Sequence, residues 1–170
     1  IYVVEVMGRH SGHIAMFAGL AGGAETVLIP EVDADLDEVC ERIISGYELG
    51  KAHSILVVAE GVGGDFKTGR AMNESSAFQI GSYVKEKTGF ETRVTVLGHI
   101  QRGGNPTAQD RILASRLGAR AVEMLREGQG GHMVGVVHTE IKATPLEEAL
   151  GQEKKMDLEF YRLAHILASQ

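Results

Sequence analysis

The sequence predicts an α/β fold with a mainly parallel sheet and helices on both of its faces. Short apolar runs rich in valine and isoleucine alternate with segments whose apolar residues recur at helical spacing. The apolar runs lack a polar face, which is typical of strands that are buried on both sides in a parallel sheet. Many of the 22 glycines follow these runs directly, at positions that suit tight strand-to-helix turns.

Five apolar runs are predicted to be strands. They comprise residues 1–7, 26–29, 54–59, 92–97 and 133–138. The first run begins at Ile1 itself, and because a domain rarely starts inside a strand, we expect a further segment of chain upstream.

Amphipathic helices are predicted between the strands. The clearest spans residues 36–47, with Asp35 as its N-cap and Glu38 three residues later, as in a capping box. A second helix follows Pro106, and its apolar stripe consists of Leu113, Leu117, Ala121 and Met124. Two more are predicted over residues 73–87 and 158–168. A helix after Met7 is a weaker prediction, since Gly12 and Gly19 lower its propensity.

The composition is that of a globular protein of one domain. Of the 170 residues, 44% are apolar and 24% charged, and the net charge of -6 argues against nucleic acid or an anionic membrane as partner. Cys40 is the one cysteine, which excludes a disulfide framework and favours a reducing cytoplasm. No apolar run approaches the roughly 20 residues that a membrane helix needs.

Three predicted strands end in residues that suit an anionic ligand. Arg9 follows the first strand, Glu60 follows the third, and His99 and Arg102 follow the fourth. Ligands of open parallel sheets bind outside the carboxyl ends of the strands, so these side chains are expected to share one site.

The chemistry of these residues indicates a phosphorylated polyol. Guanidinium groups match phosphate oxygens, and histidine adds a further donor. Glu60 can accept hydrogen bonds from sugar hydroxyls. Glycines such as Gly8 let backbone N–H groups approach an anion, and the helix that follows would direct its positive end to the same place.

Each of these residues also has a plain structural interpretation. Arg9 can be a surface residue, Glu60 the cap of a turn, His99 a core histidine, and Arg102 part of an ordinary loop. Other sites have less support. Cys40 lies on the apolar stripe of its helix, and His10 and His13 lack further ligands at zinc spacing. The sequence has no nucleotide-binding glycine loop of the P-loop or dinucleotide type.

Three ordered motifs carry a family resemblance. Residues 4–12 (VEVMGRHSG), 19–25 (GLAGGAE) and above all 93–104 (RVTVLGHIQRGG) resemble the signatures of bacterial-type, ATP-dependent 6-phosphofructokinases, and the likeness continues through Pro106 and residues 110–119. The resemblance implies transfer of the γ-phosphoryl group of ATP to the 1-hydroxyl of fructose 6-phosphate in glycolysis, with Mg²⁺ as cofactor.

The resemblance also assigns roles to residues. It implies that Arg9 acts electrostatically in catalysis, that His99 and Arg102 clamp the 6-phosphate, and that Arg93 reaches into the site of a neighbouring subunit in a homotetramer. Its substrate-binding positions are Met7, Gly8, Arg9, Glu60, Arg93, His99, Ile100, Gln101 and Arg102.

A second, effector-binding site is implied as well. Its residues are Gly23, Ala24, Glu25, Lys51, Ala52 and His53, with Glu25 as a metal ligand and ADP or phosphoenolpyruvate as effector. Leu49 departs from the family pattern, because many members place an arginine there that binds the effector phosphate.

By this resemblance, residues 1–170 form the fructose 6-phosphate- and effector-binding half of a phosphofructokinase. The ATP-binding half, with the metal-binding and general-base aspartates, is expected upstream, so the chain alone is expected to be inactive. Two alternatives stay open: a pyrophosphate-dependent phosphofructokinase, since the donor-selecting residues lie outside the chain, and a non-catalytic sugar-phosphate-binding module.

Overall fold

The computed structural model describes residues 1–62, 75–152 and 156–168. The chain divides into two compact units, where the sequence indicated one domain. The first unit consists of Ile1–Gly103 with Met156–Gln170, and the second of Gly104–Lys155. The division falls within a Gly-Gly pair, Gly103-Gly104, which is short for a linker.

The described residues contain six α-helices. In chain order they are α1 (His13–Gly22), α2 (Leu36–Glu48), α3 (Ser76–Thr88), α4 (Ala108–Arg126), α5 (Leu146–Gly151) and α6 (Leu158–Ala168). The first unit contains α1, α2, α3 and α6, and the second contains α4 and α5.

The first unit is built on a four-stranded parallel sheet. Its strands are β1 (Tyr2–Val6), β2 (Thr26–Leu28), β3 (Ile55–Ala59) and β4 (Arg93–Val96), in the spatial order β2-β3-β1-β4. The predicted parallel α/β architecture is therefore confirmed, with strand ends that differ from the predictions by at most one residue.

Helices cover both faces of this sheet. The crossover from β1 to β2 runs in the opposite direction to those from β2 to β3 and from β3 to β4. Right-handed crossovers then put α1 on one face and α2 and α3 on the other. The contacts agree, since α2 packs on α3, and α1 packs on β2 and β3. The core is apolar and is centred on residues such as Val3, Leu56 and Ile80.

The start of α2 was predicted correctly from the sequence, whereas that of α1 was not. The predicted cap of α2 is confirmed: Asp35 Oδ1 accepts hydrogen bonds from the N–H groups of Asp37 (2.9 Å) and Glu38 (3.2 Å). Helix α1 begins only at His13, six residues after Met7. Its Gly19 is explained by packing, because a Cβ there would lie 2.4 Å from Cγ2 of Val27 on β2.

The predicted helix over residues 73–87 falls partly outside the described residues, which resume at position 75. The part that is described, α3, ends one residue later than predicted. The helix predicted over residues 158–168 is confirmed with the same bounds.

The second unit corrects one strand prediction. Strand β5 (His132–Val137) was expected in the parallel sheet, but it pairs antiparallel with β6 (Glu140–Pro145), a strand that the sequence analysis missed. Met124 is the one buried residue among those described in this unit, so the stripe predicted for α4 is not a filled core here. In the described residues, no helix has the length and apolar character needed to cross a membrane.

Candidate functional site

The carboxyl ends of three adjacent strands form the candidate site. Strands β3, β1 and β4 are neighbours and run parallel, so their last residues meet at one edge of the sheet. Beyond this edge β1 continues into Met7–Arg9, β3 into Glu60, and β4 into a 3₁₀ turn over Gly98–Arg102. These are the segments in which the sequence analysis placed the sugar-phosphate site.

Hydrogen bonds join the three segments directly. The N–H of Met7 donates to Oε1 of Gln101 at 2.7 Å. On the other side, Oε1 of Glu60 accepts from the N–H of Arg9 at 2.6 Å and from that of Gly8 at 3.3 Å. Residues that lie 51 to 94 positions apart in the chain are thus brought together at one place.

The loops that follow β3 and β1 lie very close to each other at this edge. A Cβ on Gly61 would lie 1.7 Å from the carbonyl oxygen of Arg9, so only glycine fits between the loops that follow β3 and β1. Arg9 itself has φ of 54°, a left-handed conformation that is uncommon for a residue with a side chain. Such conformations persist where the surroundings fix them, and functional sites are enriched in them.

The 3₁₀ turn presents a histidine and an arginine side chain together. With three residues per turn, positions i and i+3 lie on the same face, which applies to His99 and Arg102. Both are exposed, and Ile100 between them is 78% exposed. Within the described residues neither Arg9 nor Arg102 forms an ion pair, so their charges are available to an external anion.

The N-terminus of α1 is not available to the anion in the way that was expected. Both carboxylate oxygens of Glu31 accept from the N–H of Gly12, at 2.9 and 3.0 Å. The helix begins beyond that residue, so its positive end faces a carboxylate of the protein itself. The sequence argument failed here because the loop between Met7 and the helix is longer than was assumed.

Arg93 lies apart from the other predicted substrate residues. It starts β4 and pairs in register with Tyr2, at the amino edge of the sheet. Its guanidinium forms an exposed ion pair with Glu91 at 2.8 Å, and this contact holds the pKa of the Glu91 carboxyl below its usual value. Within one copy of the chain, Arg93 is therefore not joined to Arg9, Glu60 and the 3₁₀ turn.

The predicted effector residues lie near the same amino edge. Lys51, Ala52 and His53 line a cavity of about 300 Å³, to which Arg93 also contributes. Glu25 is joined to the start of β3, where its Oε2 accepts from the N–H of Ile55 at 2.6 Å. Gly23 ends α1 in a left-handed conformation with φ of 69°, next to Ala24, and Leu49 is 85% exposed.

The described residues do not fit a metal at this effector site. No group of three or more His, Cys, Asp or Glu is close enough there, or elsewhere in the described part of the chain, to hold a metal ion. One oxygen of Glu25 is also engaged by the backbone of Ile55.

Sequence reasoning missed a buried carboxylate that supports the site. Glu5, 7% exposed in the middle of β1, accepts hydrogen bonds from the hydroxyl of Ser75 and from the N–H of Ala77 at 3.0 Å. It thereby anchors the N-terminus of α3, which follows the Glu60 segment. The signal was a charged residue within the apolar run Val4-Glu5-Val6, because a buried carboxylate must find donors.

Comparisons with known proteins agree with one another. The family model described as Phosphofructokinase matches residues 1–125. The chain is 56% identical over 167 residues to the ATP-dependent 6-phosphofructokinase of Halothermothrix orenii, covering 98% of this chain and 50% of that protein. It is 54% identical to the protein of the same name from Bacillus cytotoxicus, covering 98% of this chain and 49% of that protein. The chain thus spans about half the length of the curated relatives that it matches.

Solved structures show the same likeness. A phosphofructokinase from Saccharomyces cerevisiae superposes with a TM-score of 0.75 at 31% identity, over 98% of this chain and 21% of the yeast chain. A pyrophosphate-dependent phosphofructokinase from Marinobacter aquaeolei also gives a TM-score of 0.75, at 28% identity over 93% of this chain and 42% of that one.

Proposed function

Because the chain belongs to the phosphofructokinase family, we propose that it is the fructose 6-phosphate- and effector-binding half of an ATP-dependent 6-phosphofructokinase. The complete enzyme would transfer the γ-phosphoryl group of ATP to the 1-hydroxyl of fructose 6-phosphate, as a step of glycolysis in the cytoplasm. The observation that carries this proposal is the convergence of Met7–Arg9, Glu60 and the turn Gly98–Arg102 at one sheet edge.

In this proposal two exposed side chains of the 3₁₀ turn bind the sugar phosphate. Arg102 and His99, on one face of the 3₁₀ turn, hold the 6-phosphate by charge-assisted hydrogen bonds. The second carboxylate oxygen of Glu60 accepts from a sugar hydroxyl, while Oε1 stays on the backbone of Gly8 and Arg9. Met7, Gly8 and Ile100 complete the wall around the sugar.

Arg9 would act on the transferred group. Phosphoryl transfer is accelerated mainly by positioning and by cations that neutralise the charge of the phosphoryl oxygens. Glu60 accepts a hydrogen bond from the backbone N–H of Arg9, and this contact fixes the left-handed backbone conformation of Arg9. It thereby fixes the point from which the Arg9 side chain extends. We assign to Arg9 the electrostatic role and to no residue of this chain the role of general base.

ATP and Mg²⁺ would be held mainly by residues outside this chain. When bound, Mg²⁺ neutralises charge on the β- and γ-phosphates of ATP. The chain spans about half the length of its curated relatives, which supports this division between the two halves of the protein.

Arg93 would act between subunits, and the predicted effector residues would form a second site. The position of Arg93 at the amino edge, away from Arg9 and Glu60, supports the idea that it serves the site of a neighbouring subunit in a homotetramer. The cavity beside Lys51 and His53 supports an effector site for an anion such as ADP or phosphoenolpyruvate. The exposed Leu49 removes one cation from that site, so we expect weaker effector control than in members with arginine there.

The identity of the phosphoryl donor, ATP or pyrophosphate, distinguishes this proposal from its closest alternative. Relatives at 53–56% identity are named ATP-dependent, whereas the pyrophosphate-dependent structure is 28% identical, which favours ATP. The test is a coupled assay of the complete protein with fructose 6-phosphate and either ATP or pyrophosphate. Turnover with ATP alone is expected; turnover with pyrophosphate alone would replace the proposal by its alternative, and turnover with neither would leave a binding module.

A further inference from the structure

The ladder between β1 and β4 ends just before the site. The N–H of Leu97 donates to the carbonyl oxygen of Glu5 at 3.1 Å, which is the last backbone rung between these strands. In a parallel pair, the next rung would join the N–H of Met7 to the carbonyl oxygen of Leu97. That oxygen instead accepts from the N–H of Ile100 at 3.2 Å, because the chain has turned into the 3₁₀ helix.

Gln101 supplies the missing acceptor. Its Oε1 accepts from the N–H of Met7 at 2.7 Å, so a side chain takes the place of the backbone rung. Gln101 is half-buried, whereas its neighbours Ile100 and Arg102 on the same turn are exposed. Its side chain is therefore turned towards β1, and the side chains on either side of it remain open to a ligand.

This contact joins the two halves of the phosphate-binding region. One half is the turn that carries His99 and Arg102, and the other is the β1 extension that carries Arg9. Glu60 holds that extension from the opposite side through the N–H groups of Gly8 and Arg9. Without Gln101, the extension would be fixed on one side only.

We propose that Gln101 is a positioning residue for sugar-phosphate binding, which acts through the backbone of Met7 and not by touching the ligand. The proposal rests on the proposed function, and it differs from the direct substrate contact that the family resemblance implied for Gln101. Gln101 sets the distance between the phosphate clamp of the 3₁₀ turn and the segment of Arg9, so its loss weakens binding of a ligand that spans both.

The test compares two variants of the complete protein. Gln101→Met keeps the length of the side chain and removes the acceptor, while Gln101→Glu keeps an acceptor oxygen and adds a charge. The readouts are steady-state kinetics with fructose 6-phosphate and ATP, and amide hydrogen exchange of residues 3–10. Gln109→Met, an exposed position on α4, is the matched control.

For Gln101→Met we expect faster exchange of the Met7 segment and a KM for fructose 6-phosphate raised about five- to thirtyfold, because one partly buried N–H loses its partner. Since ground state and transition state share this contact, kcat should change by less than about twofold, and the KM for ATP likewise. Gln101→Glu should restore the exchange protection of Met7, which a merely bulky side chain cannot do.

Several results would overturn the proposal. Unchanged protection of Met7 in Gln101→Met would show that the contact is not made, and a raised KM with that protection would identify Gln101 as a direct ligand contact. Lost protection with an unchanged KM would reduce the contact to a structural one. A wild-type protein that does not phosphorylate fructose 6-phosphate refutes the proposed function itself, a result that is distinct from a failure of the variants in an active enzyme.

Discussion

At the scale of single residues, the site is a local concentration of positive charge in an acidic protein. The chain carries a net charge of -6, yet Arg9 and Arg102 lie at one sheet edge, and within the described residues these two arginines form no ion pairs. The two arginines would therefore attract an anionic ligand against the overall field, and removal of Arg102, which holds the sugar phosphate in the proposal, should affect binding more than chemistry.

Arg102→Ala in the complete protein tests this expectation. The loss of a charge-assisted phosphate contact should cost about 1.5–3 kcal/mol, and it should raise the KM for fructose 6-phosphate far more than it lowers kcat. Steady-state kinetics measure both constants. Arg162→Ala, an exposed arginine on α6, is the control, and an unchanged KM in Arg102→Ala would exclude Arg102 from the site.

The sequence predicted which residues share the site better than it predicted their partners. Arg9, Glu60 and Arg102 could be assigned to one edge because parallel strands end on the same side of a sheet. The hydrogen bonds of Glu60 and Gln101 to the β1 extension could not be predicted, because they depend on the residue at which each ladder stops. A strand pattern locates that point only to within a residue or two.

At the scale of elements, the sequence predicted local features such as the helix cap correctly, but it did not predict which strands pair. The cap at Asp35 is a local feature and is confirmed, and four residues of the predicted stripe of α2, Leu36, Val39, Cys40 and Ile43, are buried. Strand β5 has the same apolar character as the strands of the parallel sheet, and its sequence does not reveal that its partner is β6. Strand β6 was missed because it is not an apolar run: three of its six residues, Glu140, Lys142 and Thr144, are polar.

Helix α6 packs against the edge of the sheet, and one of its contacts involves a titratable histidine. It packs along β2, an edge strand, and Phe160 contacts Phe17 of α1 with ring centroids 5.4 Å apart. On its other side, Nδ1 of His165 lies 2.7 Å from Nη1 of Arg42 on α2. An arginine can only donate, so Nδ1 must be the acceptor and the ring must be neutral.

Protonation of His165 should therefore release α6. Burial, and next to it the charge of Arg42, lowers the pKa of His165 below its ordinary value of 6.5, while Glu38 opposes the shift. Asp33 and Asp35 line the same cavity of about 230 Å³. Because the folded pKa is below the unfolded one, the unfolded state takes up the proton first. The contribution of His165 to stability is complete above pH 6.5 and is lost as the pH falls towards the lowered pKa.

Amide hydrogen exchange of α6 as a function of pH, corrected for the intrinsic exchange rate, measures this release. In the complete protein we expect the protection of α6 to fall below pH 6.5. His165→Gln, which removes the titrating group, should flatten that dependence, while His132→Gln, at an exposed position of β5, should not. A dependence that persists in His165→Gln would assign the effect to another group.

At the scale of the whole molecule, the two units differ in how much of their apolar surface is buried. The first unit has a filled core around its sheet, whereas Met124 is the one buried residue among those described in the second. Large side chains such as Ile112, Val122, Leu125 and Leu150 are exposed there. A two-stranded sheet with so little burial has too small a core for independent stability.

The division of the proposed enzyme into two halves determines what the 170 residues can do alone. The first unit presents the proposed sugar-phosphate site, but the chain spans about half the length of its curated relatives, and the proposal assigns the ATP-binding part to the other half. Phosphoryl transfer requires both substrates to be positioned and the transferred charge to be neutralised, and Arg9 supplies only part of that.

We therefore expect the isolated chain to show no turnover in a coupled assay with fructose 6-phosphate, ATP and Mg²⁺, under conditions in which the complete protein is active. Titration of the isolated chain with fructose 6-phosphate, monitored by calorimetry, distinguishes a folded but inactive half from an unfolded one. Turnover by the isolated chain would contradict the division of the enzyme into two halves, because it would require a phosphoryl donor site within these residues.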